Sequence, residues 1–161
     1  MKVEDFIQEF RSTVMDNEVP YFWTSENIVR YLNEAVQEAC ERAKLIEDRS
    51  TPSVCSLLIE PGVSTYNLHP SVFQVERLTV RGRPLEETSV EKLDCDSPAW
   101  ERHSGASRSF IFEQASGAQP PKVRLVPTPA MAEDAGLTVY RGALQALSAD
   151  IPTAQPEIPP R

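Results

Sequence analysis

The chain has 161 residues, 40% of them apolar, and a formal charge of −8, enough for one domain with a real core and too little for a second. Its start, MKVEDFIQEF, has acids where a secretory leader has a basic stretch and an apolar run, and no later segment approaches the ~18 apolar residues of a membrane helix, so neither export nor membrane insertion is expected. The charge is uneven: residues 1–48 hold 5 basic and 11 acidic residues, and a helical face of that sign repels nucleic-acid phosphates rather than reading their sequence.

Character changes near Asp48. Before it lie one proline and no glycine, after it 13 prolines and all six glycines. Val3, Phe6, Ile7, Phe10 and Val14 recur at helical spacing and predict a first helix that stops at Asp16-Asn17. The loop NEVPYFW then concentrates Tyr21, Phe22 and Trp23. These aromatics either plug a local core, the favoured reading, or form a contact surface for a partner. Thr24 supplies a hydroxyl cap and Glu26 an early acid for a second helix, whose apolar stripe runs Ile28, Tyr31, Leu32, Ala35, Val36, Ala39, Ala43 and Ile46. Glu38 and Arg42 are spaced for an exposed i,i+4 ion pair. Two helices of this size do not recover the entropy of ordering themselves, so they must dock on the β segment, on helices outside this sequence or on neighbouring subunits.

From Ser53 the hydrophobic period shortens to that of strands. SVCSLLIEPGVSTYNL reads as two strands around Pro61-Gly62. Phe73 and Val75 lie on one face and Leu78 and Val80 on the other, which predicts a bend or bulge near Glu76-Arg77. RGRP at 81–84 is a turn, and Thr88-Ser89-Val90-Glu91 fits a capping box for a short helix to about Asp94. Three further strands are expected over 109–113, 122–126 and 136–141, giving a meander-like module of five to seven strands. The proline-rich stretch SADIPTAQPEIPPR cannot build a core and reads as an extended arm. The expected class is therefore α+β: a helical hairpin (1–48) packed with a small, mainly antiparallel β module (49–144) and an extended C-terminal arm (145–161).

Chemical signatures are sparse. Cys40, Cys55 and Cys95 are odd in number and lack C-x-x-C spacing, so reduced, partly buried thiols are expected rather than disulfides or zinc. Asp94, Asp96, Glu133 and Asp134 have no histidine or third carboxylate at metal-ligand spacing. His69 and His103 have no visible nucleophile or orienting acid, so no catalytic residue, metal or cofactor is assigned and the chain is read as a non-enzyme. SGAS at 104–107 lacks the lysine ending of a phosphate loop. Arg77, Arg81, Arg83, Arg124 and Arg141 are expected to pair across strands with Glu76, Glu86 and Glu113, or to form an arginine row facing a polyanion.

The order of WTSENIVRYLNEAVQEAC, VERLTVRGRPLEETSVEKLD, PAWE, KVRLVPTP and GLTVYRGAL resembles the head-to-tail adaptor (neck or connector) proteins of short-tailed bacteriophages, over most of residues 20–144. In that family a helix bundle carries an inserted β domain, and a dodecameric ring beneath the portal extends the DNA channel toward the tail. The resemblance implies a virion protein assembled in the host cytoplasm. Its partners would be sister copies, the portal, the tail nozzle and genomic DNA that passes without sequence recognition. The implied interface residues are Tyr21, Phe22, Trp23, Tyr31, Leu32 and Val36 on the helices, Arg77, Arg81 and Arg83 on the β module, and Pro152, Pro156 and Ile158 in the arm. The family pattern continues with further helices where this sequence stops at Arg161, so a short form or a continuing chain is expected. The rival reading is a small β-type module binding a peptide or glycan through Trp100, Tyr66 or the Tyr21–Trp23 cluster.

Overall fold

A computed structural model describes residues 1–158 and is α+β. The chain forms two compact units. One comprises Met1–Ile46 together with the described chain from Gly142 onward, and the other is Glu47–Arg141.

In the helical unit, α1 (Val3–Val14) begins on Lys2, whose N–H donates to the Asp5 carboxylate at 2.9 Å. It ends where Met15 turns left-handed (φ 59°) and the Asp16 N–H returns to the Arg11 carbonyl at 2.9 Å. Helix α2 (Ser25–Ala43) is capped by Thr24, whose hydroxyl accepts from the Asn27 N–H. Ile28, Val29, Leu32, Val36 and Cys40 form its buried face. The apolar stripe was expected to run on to Ile46. The helix stops at Ala43 instead, because Lys44 is left-handed (φ 50°), and the buried Ile46 opens strand β1 (Ile46–Asp48). Apolar periodicity alone does not distinguish these two ways of burying one isoleucine.

The segment read as an extended arm contains no helix or strand in its described part, and its last three residues lie outside the described residues. It is hydrogen-bonded to the helices of its own unit. The carbonyls of Ala154 and Pro152 accept from the Val3 and Glu4 N–H groups at 3.0 Å each, satisfying two donors that a helix start leaves open. The Asn33 carboxamide clamps Leu147, donating to its carbonyl and accepting from its N–H, both at 2.9 Å.

The β unit continues with α3 (Pro52–Cys55), β2 (Ser56–Ile59), β3 (Thr65–Asn67), β4 (Val72–Val80), β5 (Arg83–Pro84), β6 (Glu86–Glu87), α4 (Val90–Asp96), β7 (Ser104–Gly105), β8 (Ser109–Glu113), β9 (Lys122–Val126), β10 (Thr128–Pro129) and β11 (Glu133–Arg141). One sheet runs β1–β11–β4–β5 with β2 also on β11, a second runs β3–β9–β8–β6, and β10 pairs with β7. Most pairs are antiparallel, as expected, but β6–β8 and β10–β7 are parallel. The module is therefore not a meander: β2 and β3 flank Pro61-Gly62 yet pair with β11 and β9 rather than with each other. Distributing sequential strands between two sheets lets both bury one core, with Val75, Leu78 and Val139 from the first meeting Phe110, Val123 and Leu125 from the second.

The irregularity expected in β4 is present. Arg77 pairs with Thr138 and Val75 with Val139, which leaves Glu76 as a bulge. Its effect differs from the expected switch of faces: the extra residue keeps Val75, Leu78 and Val80 buried together, and a second register shift, which skips Phe73 between Gln74 and Val72, does the same for Val72. Arg81 (φ 51°) and Gly82 (φ 74°) form a two-residue turn of the kind that matches strand twist, returning the chain to β5. Helix α4 is capped by Ser89, one residue later than the capping-box reading placed its start, with the Lys92 N–H on the Ser89 hydroxyl.

The first and last strands of the unit are joined by a buried ion pair. Asp48 accepts from Arg141 Nε at 2.6 Å, and its other oxygen accepts from the Ser50 and Thr51 N–H groups at 3.0 Å each. Burial alone would raise the Asp48 pKa, but the Thr51 hydroxyl, the Ser50 N–H and Arg141 outweigh it and hold the carboxyl well below the usual range. Burial, followed by the charge of Asp48, pushes the Cys55 thiol up to about 11, so it stays protonated and unreactive.

Removing one member of such a pair leaves the other charge buried without a partner. Asp48→Asn is expected to cost about 3–5 kcal/mol in chemical denaturation at neutral pH. Because the folded pKa is depressed, the carboxylate's contribution is complete above its unfolded value of about 3.9 and is lost as pH falls through the folded value. The stability gap between wild type and variant should therefore close in acid, and a gap independent of pH would contradict this account.

Candidate partner interface

The loop between α1 and α2 is built around Asp16. Its carboxylate accepts from the Phe22 N–H at 2.8 Å, the Trp23 N–H at 3.0 Å and the Arg11 guanidinium at 3.2 Å. The Trp23 and Phe22 N–H groups, in that order, lower the Asp16 pKa; burial opposes them and Arg11 adds to them. Arg11 is itself buried, donates to the Ser25 hydroxyl and lies 3.6 Å from the centre of the Tyr21 ring.

This framework fixes the aromatics. Trp23 makes edge-to-face contacts with Phe10, Phe22 and Tyr31 at centroid distances of 6.2, 5.5 and 6.1 Å. Half-buried, Trp23 fills the core-plug role that was favoured for the whole trio. Tyr21 and Phe22 do not. Phe22 is 82% exposed and Tyr21 46%, beside Met15 at 89%, Val19 at 78% and Tyr31 at 43%. The exposed aromatics are thus held by backbone hydrogen bonds and a buried arginine. Sequence reasoning missed Arg11 and Asp16 as organisers. The available signal was Arg11 itself, four residues after Ile7 and so on the apolar side of α1.

The remaining expected interface residues are scattered. Leu32 and Val36 are buried, and Val36 shares with Pro156 a crevice of about 110 Å3 within the helical unit. Pro152 is exposed and Ile158 half-buried. On the β unit, Arg77, Arg81 and Arg83 are exposed. The expected pairing of arginines with Glu76, Glu86 and Glu113 is not what forms: Arg81 pairs with Glu133, Arg124 with Glu101 and Arg141 with Asp48, while Glu86 takes Lys92. The partners lie on elements that sequence proximity does not indicate.

Of the residues expected to contact ligand in a β-type binding module, Trp100 and Tyr66 are occupied internally, whereas Tyr21 and Phe22 of the Tyr21–Trp23 cluster are exposed. Trp100 is buried with Leu93, Ile111 and Val126, donates its indole N–H to Asp94 at 2.8 Å and is covered by the Arg124 guanidinium. The buried Tyr66 hydroxyl accepts from the Glu60 N–H and lies 2.7 Å from the Val63 carbonyl. His69 Nδ1 serves a local turn, 2.8 Å from the Ser71 hydroxyl and accepting from the Ser71 N–H. Among the described residues no group of three or more His, Cys, Asp or Glu side chains is arranged to hold a metal, and no helix is long and apolar enough to cross a membrane.

Asp16→Ala should release the Phe22 and Trp23 N–H groups and leave Arg11 buried without its counter-charge. The expected result is a lower thermal midpoint and a red-shifted tryptophan emission, both partly reversed by adding Arg11→Met. Unchanged emission would show that Asp16 does not hold the loop.

No curated protein matches the chain. A protein-family model described as SU10 adaptor protein matches residues 1–161. The chain therefore belongs to the SU10 adaptor family, the head–tail adaptors of short-tailed phages, and is a phage structural adaptor.

Proposed function

We propose that copies of this chain form a dodecameric ring that joins the portal of the phage head to the tail nozzle and continues the DNA channel. The observation that carries the reading is the aromatic tip of the helical unit, where Phe22 is both fixed by Asp16 and 82% exposed. A free chain gains little from ordering an aromatic that it leaves in water. A binding surface gains twice, because a fixed anchor has already lost its conformational entropy and still has its apolar area to bury. Tyr21, Phe22, Trp23 and Tyr31 serve as this anchor against a sister copy or the portal.

The charge supports the same role. With a net charge of −8 per copy, a ring repels phosphates and offers few points at which a passing genome could stick. The arm residues Pro152, Pro156 and Ile158 and the β-unit residues Arg77, Arg81 and Arg83 form the further contacts with sister copies, portal or tail.

Mixing the full chain with portal rings of its phage, followed by negative-stain imaging and sedimentation, tests the reading. Wild type should add a ring to the portal. Phe22→Ala should change stability by no more than about 0.5 kcal/mol, as for other exposed sites, and weaken assembly by about tenfold or more. A chain that remains monomeric both alone and with portal rings would overturn the proposal.

A further inference from the structure

Arg81, Arg83 and Arg108 converge on a groove of about 480 Å3 in the β unit, walled by Val80, Pro84 and Leu85. Backbone geometry brings them together: the turn at Arg81-Gly82 delivers Arg83, and the Arg108 carbonyl accepts from the Glu86 N–H at 3.1 Å. Glu133 engages Arg81 at 2.9 Å, whereas Arg83 and Arg108 are exposed and have no ion pair among the described residues. In a chain with 24 acidic and 16 basic residues, three arginines around one groove are a local reversal of sign. The groove is too open and too apolar along one wall to be explained as a bare anion site.

The complementary surface is on α2. Glu34, Glu38 and Glu41 follow one another at i, i+4 and i+7, all exposed, and span about 10 Å along the helix. Glu34 reaches Arg30 only at 4.0 Å, Glu38 pairs with Arg42 at 2.7 Å, and Glu41 has no ion pair among the described residues. A ring built from identical copies meets through two unlike patches, one from each neighbour, and this chain carries one of each sign. A nucleic acid would meet the repulsion of the rest of the acidic surface, whereas a carboxylate stripe on a sister helix brings a few charges to the groove. We propose that the Arg81–Arg83–Arg108 groove receives the Glu34, Glu38 and Glu41 face of α2 from the neighbouring copy, an inference that rests on the ring reading above.

Assembly of the full chain, alone and on portal rings, is measured by sedimentation for four proteins of confirmed fold: wild type, Arg83→Glu/Arg108→Glu, Glu34→Lys/Glu41→Lys, and the chain carrying all four exchanges. Each double variant should assemble about tenfold or more weakly than wild type, because like charges then face each other. The fourfold variant, and an equimolar mixture of the two doubles, should recover assembly. If the arginine variant assembles like wild type, the groove is not the contact and the ring reading stands without it. Loss in the arginine variant with normal assembly of the glutamate variant assigns the groove to a different acidic partner and overturns the sister-copy pairing, as does failure of the fourfold variant to recover. Wild type that forms no ring under either condition removes the ring reading and this inference with it.

Discussion

The ion pair between Asp48 and Arg141 lies where the chain enters and leaves the β unit, 93 residues apart in sequence. Everything between them folds as one compact unit, and what lies outside them, residues 1–46 and 142 onward, forms the other. An insertion of this kind needs its two ends held together, because the pieces it separates must still meet. A hydrogen-bonded charge pair buried at both ends does this with more geometric definition than an apolar contact of similar size, since each carboxylate oxygen and the guanidinium Nε have fixed partners.

The same arrangement recurs at Asp16. In both places an aspartate accepts two consecutive backbone N–H groups and one arginine: Ser50, Thr51 and Arg141 for Asp48, and Phe22, Trp23 and Arg11 for Asp16. Two adjacent N–H groups that converge on one carboxylate require a turn or a helix start, since in extended chain they alternate in direction, so each carboxylate restricts the backbone conformation at its loop. At Asp48 the conformation so fixed is an interior one. At Asp16 it is a tip that carries exposed aromatics. One device therefore serves the fold in the first case and presents a surface in the second.

What could be read from the sequence follows this division between local and distant interactions. The start of α2 at Thr24, the end of α1 near Asp16 and the Arg81-Gly82 turn depend on neighbours within a few residues, and residue type reports those neighbours. Proline and glycine content changes near Asp48, but the partner of Asp48 was not legible, because no pattern links position 48 to position 141. Strand partners failed for the same reason: β2 and β3 look like a hairpin around Pro61-Gly62 until their different partners, β11 and β9, are known. At the candidate interface, the sequence located the aromatic cluster but could not divide its half-buried member, Trp23, from its exposed ones. That division is made by Asp16, whose role required knowing where the loop turned back.

The helical unit depends on sequence-distant chain in a way that couples its surfaces. Helix α1 starts on carbonyls supplied by Pro152 and Ala154, and α2 holds Leu147 through Asn33, so the frame carrying the aromatic tip is completed by a segment that joins it only after the whole β unit has been made. Without that segment the first N–H groups of α1 lose their partners and the crevice beside Val36 and Pro156 loses a wall. A partner that binds the tip binds the ordered helices in preference to frayed ones. By linkage it also favours the docked segment, although the two need not touch. On the proposed ring reading, contacts at the tip and at the C-terminal segment would therefore not be independent contributions to assembly: occupying one would lower the ordering cost that the other must meet.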